Sequence, residues 1–218
     1  MRRGLVSDVL VTESARARFA DVLADAPVHV ITDKAAKALS ETVTPVGLFA
    51  VCTLPETGLA DVLAAAPRLV LVAVETSEPG NAGTLIRIAD ALGADAVVLA
   101  GDSVDPYNGK CLRASAGSIF ALPVIHEPDA PALLATLRDA GITVLATTLD
   151  GELSLNDADL SAPTAWVFGS EAHGLSAELA ALADARVHIP MSGGAESLNI
   201  AAAAAICLYQ SAGAAPRG

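Results

Sequence analysis

Residues 187–199 read VHIPMSGGAESLN and join an apolar segment, predicted as a strand at 187–189, to an alanine-rich segment predicted as a helix at 198–210. Pro190 and the adjacent Gly193 and Gly194 predict an irregular loop between the two. Ser197 stands where it either caps the helix or faces a cleft. Small polar groups and exposed backbone between two rigid elements are typical of a binding or catalytic loop.

The composition bounds the kind of protein. With 218 residues, the chain is long enough for one medium domain or for one domain with a small appendage. Hydrophobic residues make up 53% and aromatic residues 3%, so the core must consist mainly of alanine, valine and leucine. No apolar run reaches the roughly 18 residues of a membrane-spanning helix, and a charge comes too early in the amino-terminal segment for a secretory signal.

The three cysteines indicate a reducing compartment. Cys52, Cys111 and Cys207 lie far apart and lack the paired spacing of a zinc site or the density of a disulfide-rich scaffold. We therefore expect reduced thiols in a cytoplasmic protein, with no bound metal and no membrane association.

The net charge of -12 opposes non-specific adhesion to nucleic acid, because phosphate binding depends on lysine and arginine releasing counterions. It does not exclude a local basic groove. Arg87, Lys110 and Arg113 lie close together in the sequence and are candidates for such a groove.

From residue 68 onward, short β-branched segments alternate with helical ones, which is typical of a mostly parallel sheet covered on both faces. The predicted strands are 69–74, 96–99, 122–125, 142–146, 165–168 and 187–189, and the predicted helices are 82–92, 131–140, 177–182 and 198–210. The sequence therefore predicts an α/β domain here.

Residues 1–67 form a separate small α/β segment in this prediction. Its predicted strands are 6–11, 28–31 and 47–51, its predicted helices are 14–26 and 33–41, and residues 54–66 connect it to the larger domain.

Two further polar loops follow predicted strands. In residues 75–84, Asn81 is a candidate helix cap, and it can meet Arg87, six residues on, only through a bent loop. In residues 168–176, Gly169 and Gly174 permit close backbone approach and Glu171 supplies a carboxylate. Each loop alone could be a plain surface turn, but ligands of open α/β sheets bind at the carboxyl ends of strands, where all three loops lie.

Common nucleotide-binding and nucleophile motifs are absent from the sequence. Lys110 follows Gly109 without the rest of a phosphate-binding P-loop, and neither G-x-G-x-x-G nor G-x-S-x-G occurs. Kinase, hydride-transfer and serine-hydrolase functions therefore lose support.

Taken together, the three loops resemble the three signature motifs of the SpoU (TrmH) branch of the SPOUT methyltransferases. The matching residues are Asn81, Ala82 and Gly83 with Arg87, then Phe168, Gly169, Ser170 and Glu171 with Gly174, then Ile189, Pro190 and Met191 with Ser197, Leu198 and Asn199. Residues 110–117, KCLRASAG, resemble the family's segment after the second strand. The likeness covers residues 69–210, in order and in spacing.

The resemblance implies a SPOUT-type parallel sheet flanked by helices, with a C-terminal trefoil knot that general folding rules would not predict. It implies a homodimer and a knotted methyltransferase domain at residues 68–218. It also implies a small, ribosomal-protein-like RNA-binding domain at residues 1–67, shortened relative to the family's pattern.

The activity that the resemblance implies is transfer of a methyl group from S-adenosylmethionine to a ribose 2′-hydroxyl of structured RNA, most often ribosomal RNA. The family's catalytic positions fall on Asn81, Arg87, Glu171, Ser197 and Asn199, its cofactor positions fall on Thr147, Gly169, Ile189, Met191 and Leu198, and RNA contacts fall to Arg87, Lys110 and Arg113. Because a guanidinium stays protonated, we expect Arg87 to bind phosphate and stabilise a developing alkoxide.

Three alternatives remain open from the sequence. They are methylation of transfer RNA, a non-catalytic RNA-binding accessory protein that keeps the fold, and an α/β enzyme for a small metabolite, which the negative charge would suit. The presence of Asn81, Arg87, Glu171 and Asn199 argues against loss of catalysis.

Overall fold

The computed structural model describes residues 4–24, 26–55 and 57–214. Contacts divide the chain into two units, residues 1–56 and residues 57–218. Within the described residues, the smaller unit has a three-stranded sheet in the order β2-β1-β3, in which β1 is parallel to β2 and antiparallel to β3. Its strands are β1 (Val6–Val11), β2 (Val28–Val30) and β3 (Leu48–Cys52), and its helices are α1 (Glu13–Arg18), α2 (Ala20–Leu23) and α3 (Asp33–Leu39).

Threonine caps start two helices of this unit. The Oγ1 atoms of Thr12 and Thr32 accept hydrogen bonds from backbone N–H groups at the starts of α1 and α3. The helix predicted at 14–26 is divided at Phe19, where the backbone leaves the helical region, and Asp25 lies outside the described residues. The small core consists of Val9, Val11, Ala15 and Leu23.

The larger unit is built on a sheet of seven parallel strands, counted over its described residues, in the order β6-β5-β4-β9-β7-β10-β8. The strands are β4 (Leu69–Val74), β5 (Ala96–Ala100), β6 (Val124–Glu127), β7 (Thr143–Thr147), β8 (Leu153–Ser154), β9 (Thr164–Phe168) and β10 (Ala185–His188). The predicted strands agree with these bounds to within a few residues. Strand β8 was not predicted, because two residues cannot show a period.

Helices cover both faces of this sheet. They are α4 (Leu59–Ala64), α5 (Pro79–Ala91), α6 (Gly109–Ser115), α7 (Ala130–Asp139), α8 (Ala177–Ala180) and α9 (Ile200–Ala214), with short 3-10 turns at Ser118–Phe120 and Leu155–Asp157. Side chains of β4 alternate between two cores: Leu71 packs with α5, α6 and α9, and Val72 packs with α4, α7 and α8. Burial on both faces explains why the central strands are apolar throughout.

Two helices of the larger unit were not predicted. Helix α4 lies in the predicted connection 54–66, and its Val62 belongs to a core of the larger unit, residues 57–218. Helix α6 packs tightly on α5, since a Cβ at Gly83 would lie 2.7 Å from the Ala114 Cβ. Burial, with a smaller contribution from Asp105, raises the pKa of the Cys111 thiol on α6 to about 11.

Helix α9 packs against the centre of the sheet. Ala204, Cys207 and Leu208 are buried in the core, and burial raises the pKa of the Cys207 thiol to about 12. The fully buried Trp166 of β9 donates a hydrogen bond from its Nε1 to the Ser211 Oγ of α9, at 2.8 Å. Apolar as α9 is, none of the helices in the described ranges has both the length and the hydropathy needed to span a membrane.

Candidate active site

A pocket of about 560 Å³ opens at the carboxyl ends of β7, β9 and β10. Its volume lies within the usual range for small-molecule sites. Three segments supply most of its lining: residues 147–150 after β7, the Gly169 loop (residues 168–175) after β9, and the Gly193 loop (residues 189–199) after β10. The pocket therefore lies where a parallel sheet is expected to bind its ligand.

A second depression, of about 580 Å³, lies near the opposite end of β7. Its charged side chains are already paired, because the Arg138 Nε lies 3.0 Å from an Asp184 carboxylate oxygen. Over the described ranges, no cluster of three or more histidine, cysteine or carboxylate side chains is placed to hold a metal ion. We therefore assign the candidate site to the pocket at the carboxyl ends.

The Gly169 loop is held by its own backbone. Ser170 and Gly174 form an antiparallel bridge, and the Gly174 N–H donates to the Ser170 carbonyl at 2.9 Å. A Cβ at Gly169 would overlap the backbone of Gly174 and Leu175. Only glycine fits at position 169, and its backbone is left at the pocket wall.

The Gly193 loop is exposed from Met191 to Asn199. A Cβ at Gly193 or Gly194 would meet nothing within 4 Å. The loop ends at Asn199, whose Oδ1 accepts a hydrogen bond from the Ala201 N–H at 2.9 Å. The cap of α9 is therefore Asn199, and the side chain of Ser197 is left to face the pocket that it lines.

Helix α5 begins at Pro79, three residues before the predicted start at residue 82, and Glu78 is its cap. The Glu78 carboxylate accepts hydrogen bonds from the Gly80 N–H at 3.0 Å and from the Lys110 Nζ at 2.6 Å. The bond from Lys110 lowers the pKa of Glu78 most, followed by the bond from Gly80. Because Glu78 caps the helix, the side chain of Asn81 is available for the site.

Three polar side chains from different motifs are joined in one chain of hydrogen bonds. The Asn199 Nδ2 donates to the Asn81 Oδ1 at 3.5 Å, and the Asn81 Nδ2 donates to the Glu171 Oε1 at 2.8 Å. The structure thus brings together three of the five predicted catalytic residues across the ends of β4, β9 and β10.

Arg87 does not take part in this series of hydrogen bonds. It lies on α5 with Asn81, so the expected bent loop is wrong: six residues of helix separate the two by about 9 Å along the axis and about 120° around it. Arg87 is exposed, and none of the described residues pairs with it by a hydrogen bond or a salt bridge. Its guanidinium is available to a ligand from outside the chain.

The other predicted RNA contacts lie on α6. Lys110 and Arg113 are exposed and three residues apart, so they are neighbours on the helix surface. The Lys110 ammonium is bound to Glu78, with both side chains about half exposed. Gly83 brings α6 against α5, so all three cations lie on one pair of packed helices.

All five predicted cofactor positions, Thr147, Gly169, Ile189, Met191 and Leu198, line the pocket. The lining combines aliphatic side chains with exposed backbone, which suits an adenosyl group. At the same wall the Thr148 Oγ1 is buried and has no hydrogen-bond partner among the described residues, so a polar atom there remains to be satisfied. The residues present therefore fit S-adenosylmethionine.

Several lining residues were missed by the sequence analysis. Thr148, Leu149 and Asp150 follow β7, and the rule that ligands bind at the carboxyl ends of strands could have found them. Arg186 lies within β10 and reaches the pocket rim, where it pairs with Asp150 at 3.5 Å and with Glu152 at 2.9 Å. No local signal marks a strand interior for that role.

Comparisons with known proteins show the family. The SpoU rRNA Methylase family model matches residues 68–209. The chain is 37% identical over 206 residues to the 23S rRNA (guanosine(2553)-2′-O)-methyltransferase RlmP of Bacillus subtilis, covering 94% of this chain and 80% of that protein.

Solved structures give the same result. The SpoU methyltransferase AviRb from Streptomyces viridochromogenes, in complex with the cofactor AdoMet, aligns with a TM-score of 0.82 and 31% identity, over 96% of this chain and 83% of that one. An AdoMet-bound rRNA methyltransferase from Sinorhizobium meliloti aligns with a TM-score of 0.82 and 28% identity, over 95% and 80%. The chain belongs to the SpoU rRNA methylase family.

Proposed function

We propose that this protein transfers a methyl group from S-adenosylmethionine to a ribose 2′-hydroxyl of ribosomal RNA. One observation carries the proposal: the residues matched to the family's cofactor positions line a single pocket, and a polar chain from Asn199 through Asn81 to Glu171 leads to that pocket's rim. The relatives named as rRNA 2′-O-methyltransferases support ribosomal RNA as the substrate. Such a substrate also favours a cytoplasmic location.

The pocket residues hold the donor and exclude water. Gly169, Ile189 and Leu198 would hold the adenosyl group through their backbone, while Thr147 and Met191 line the wall. When bound, S-adenosylmethionine supplies a methyl group on a positively charged sulfur. Fixing that methyl group beside a hydroxyl oxygen converts a two-molecule encounter into an intramolecular step, which supplies much of the rate.

The polar residues would position the ribose. Amide and hydroxyl groups for this role come from Asn81, Ser197 and Asn199. The exposed Arg87 would bind the phosphate beside the target and stabilise charge developing on the oxygen. A fixed fork of donors matters for this role, so Arg87→Lys should lower the rate of methylation at least tenfold. Full turnover in that variant would remove the role.

The cations of α5 and α6 form the proposed RNA surface. Arg87, Lys110 and Arg113 concentrate positive charge within a chain of net charge -12. Because Lys110 already pairs with Glu78, a phosphate must compete with that carboxylate. We assign a second RNA contact to the small domain at residues 1–67 and the methyl transfer to the domain at residues 68–218, following the sequence analysis.

We further propose that the larger domain carries the trefoil knot. Strand β10 lies between β7 and β8, so the connection 148–152 must cross it. The Thr148 N–H donates to the Val187 carbonyl at 3.0 Å, and the His188 Nδ1 lies 2.8 Å from the Gly151 carbonyl oxygen. This close crossing, followed by the return of α9 to β9, supports a threaded chain.

A homodimer is also part of the proposal. The C-terminal helix leaves Ile206 and Tyr209 exposed by 40% and 71%, which suits a partner surface. Sedimentation velocity should give twice the monomer mass for the wild type. The double variant Ile206→Glu and Tyr209→Glu should sediment as a monomer if α9 forms the contact.

The test of the activity uses total RNA from a strain that lacks this protein. Purified protein and labelled S-adenosylmethionine are added, and 2′-O-methyl sites are then mapped. We expect label at one site in 23S rRNA. Label in transfer RNA would move the substrate, cofactor binding without transfer would favour the accessory protein, and absence of cofactor binding would remove the methyltransferase assignment.

A further inference from the structure

The donors and acceptors in the hydrogen bonds that link Asn199, Asn81 and Glu171 are fixed by the chemistry of the groups at the two ends. The Asn199 Oδ1 accepts from a backbone N–H, that of Ala201, which can only donate. The Asn199 Nδ2 must therefore face Asn81, and the amide of Asn81 is turned so that its Nδ2 donates to the Glu171 Oε1. An ionised carboxylate can only accept. This series of hydrogen bonds thus begins at Asn199, the cap of α9, and ends on the carboxylate of Glu171.

The second carboxylate oxygen of Glu171 is available. The described part of the chain gives it no hydrogen-bond partner, and Glu171 is exposed and lines the pocket. The hydrogen bond from Asn81 engages one oxygen and leaves the other for a ligand in the pocket. A carboxylate fixed at one oxygen and open at the other has the arrangement of a general base.

The other candidates for a base fit less well. Arg87 has no acceptor atom and lies about 9 Å along α5 from Asn81. Asp150 is 80% exposed and pairs with Arg186. His173 lines the pocket, but among the described residues no hydrogen bond orients its ring.

We propose that Glu171 accepts the proton of the ribose 2′-hydroxyl, with Asn81 and Asn199 as positioning residues. This inference rests on the proposed function. The proton of the 2′-hydroxyl passes to the free carboxylate oxygen of Glu171, and the electron pair of the O–H bond stays on the ribose oxygen. That oxygen forms the new bond to the methyl carbon, while the electron pair of the methyl–sulfur bond stays on sulfur. Arg87 stabilises the same oxygen without taking its proton.

The test compares Glu171→Gln with Glu178→Gln. Glutamine keeps an oxygen for Asn81 but is not a base, so the hydrogen-bond chain survives while the proton acceptor is lost. We expect kcat to fall by about 10²- to 10⁴-fold in Glu171→Gln, with the KM for RNA and the Kd for S-adenosylmethionine changed less than about threefold. Glu178 is exposed on α8 and does not line the pocket, so Glu178→Gln should match the wild type.

A second variant separates a base from a structural group. In Glu171→Ala, added formate should restore part of kcat in proportion to its concentration, and chloride should not. Retention of kcat within threefold in Glu171→Gln, or absence of formate rescue, would overturn the role of Glu171. A wild-type protein that transfers no methyl group to RNA would instead overturn the proposed function, so the two failures are distinguishable.

Discussion

The Gly169 loop and the Gly193 loop face the same pocket and are both rich in glycine, yet they are built in opposite ways. The first is held by a backbone bridge and leaves no room for a Cβ at Gly169. The second is exposed and surrounds Gly193 and Gly194 with open space. Glycine content alone therefore does not reveal which loop is rigid. The distance from each glycine to the neighbouring backbone does.

The largest effect on cofactor affinity is expected from Gly169→Ala. The added Cβ would displace the backbone of Gly174 and Leu175, and overpacking of this kind costs about 1–3 kcal/mol. We expect the affinity for S-adenosylmethionine, measured by calorimetric titration, to fall about tenfold to hundredfold. Circular dichroism should show that the fold persists. Unchanged affinity would mean that the loop is not held in solution.

A smaller effect is expected where the Gly193 loop is attached. Asn199→Ala removes the cap of α9 and the contact to Asn81, so the free energy of unfolding should fall by about 1 kcal/mol and methylation should slow. The control is Asp129→Ala, which removes the cap of α7 outside the pocket lining. It should lose similar stability in urea titrations and keep its turnover. Equal turnover in both variants would show that Asn199 has no role in the active site beyond capping α9.

The Glu78–Lys110 pair belongs to neither loop, and its contribution to the stability of the fold should depend weakly on pH. The pKa of Glu78 is below its ordinary value of 4.5, so its ionised form stabilises the fold above that pH, and this stability is lost as pH falls through the lowered pKa. In urea titrations, the difference between wild type and Lys110→Met should be largest at neutral pH and shrink below about pH 4.5. A constant difference would mean that the methionine acts through packing.

No measurable effect is expected from Gly193→Ala combined with Gly194→Ala. Neither residue has a left-handed backbone or a neighbour within 4 Å of an added Cβ. Stability should stay within about 0.5 kcal/mol of wild type, and cofactor affinity should stay within about twofold. Slower refolding with unchanged stability would indicate that the threading of the chain uses the freedom of these two glycines.

The sequence allowed the family, the parallel α/β sheet and the methyl donor to be predicted correctly, because buried strands and three spaced motifs are local features. The five residues matched to the family's cofactor positions line one pocket. The roles of the individual site residues stay predictions. The ends of the predicted strands in the larger unit follow from local spacing, and they agree with the structure to within a few residues.

Long-range pairings were beyond the reach of local patterns. Glu78 displaces Asn81 as the cap of α5 because Lys110, from another helix, helps to hold its carboxylate. The insertion of β10 between β7 and β8 brings the backbone of Gly151 close to that of Val187, and no local hydrophobic pattern predicts such a contact. Helices α4 and α6 were missed because six or seven residues give too few turns for a clear pattern.

The hydrogen bond between Trp166 and Ser211 has a practical consequence. The chain contains one tryptophan, so all of its indole emission comes from a single buried position beneath the C-terminal helix. Release of that helix would expose the ring to water and shift the emission to longer wavelength. The protein thus carries its own optical reporter of helix docking, which needs no added label.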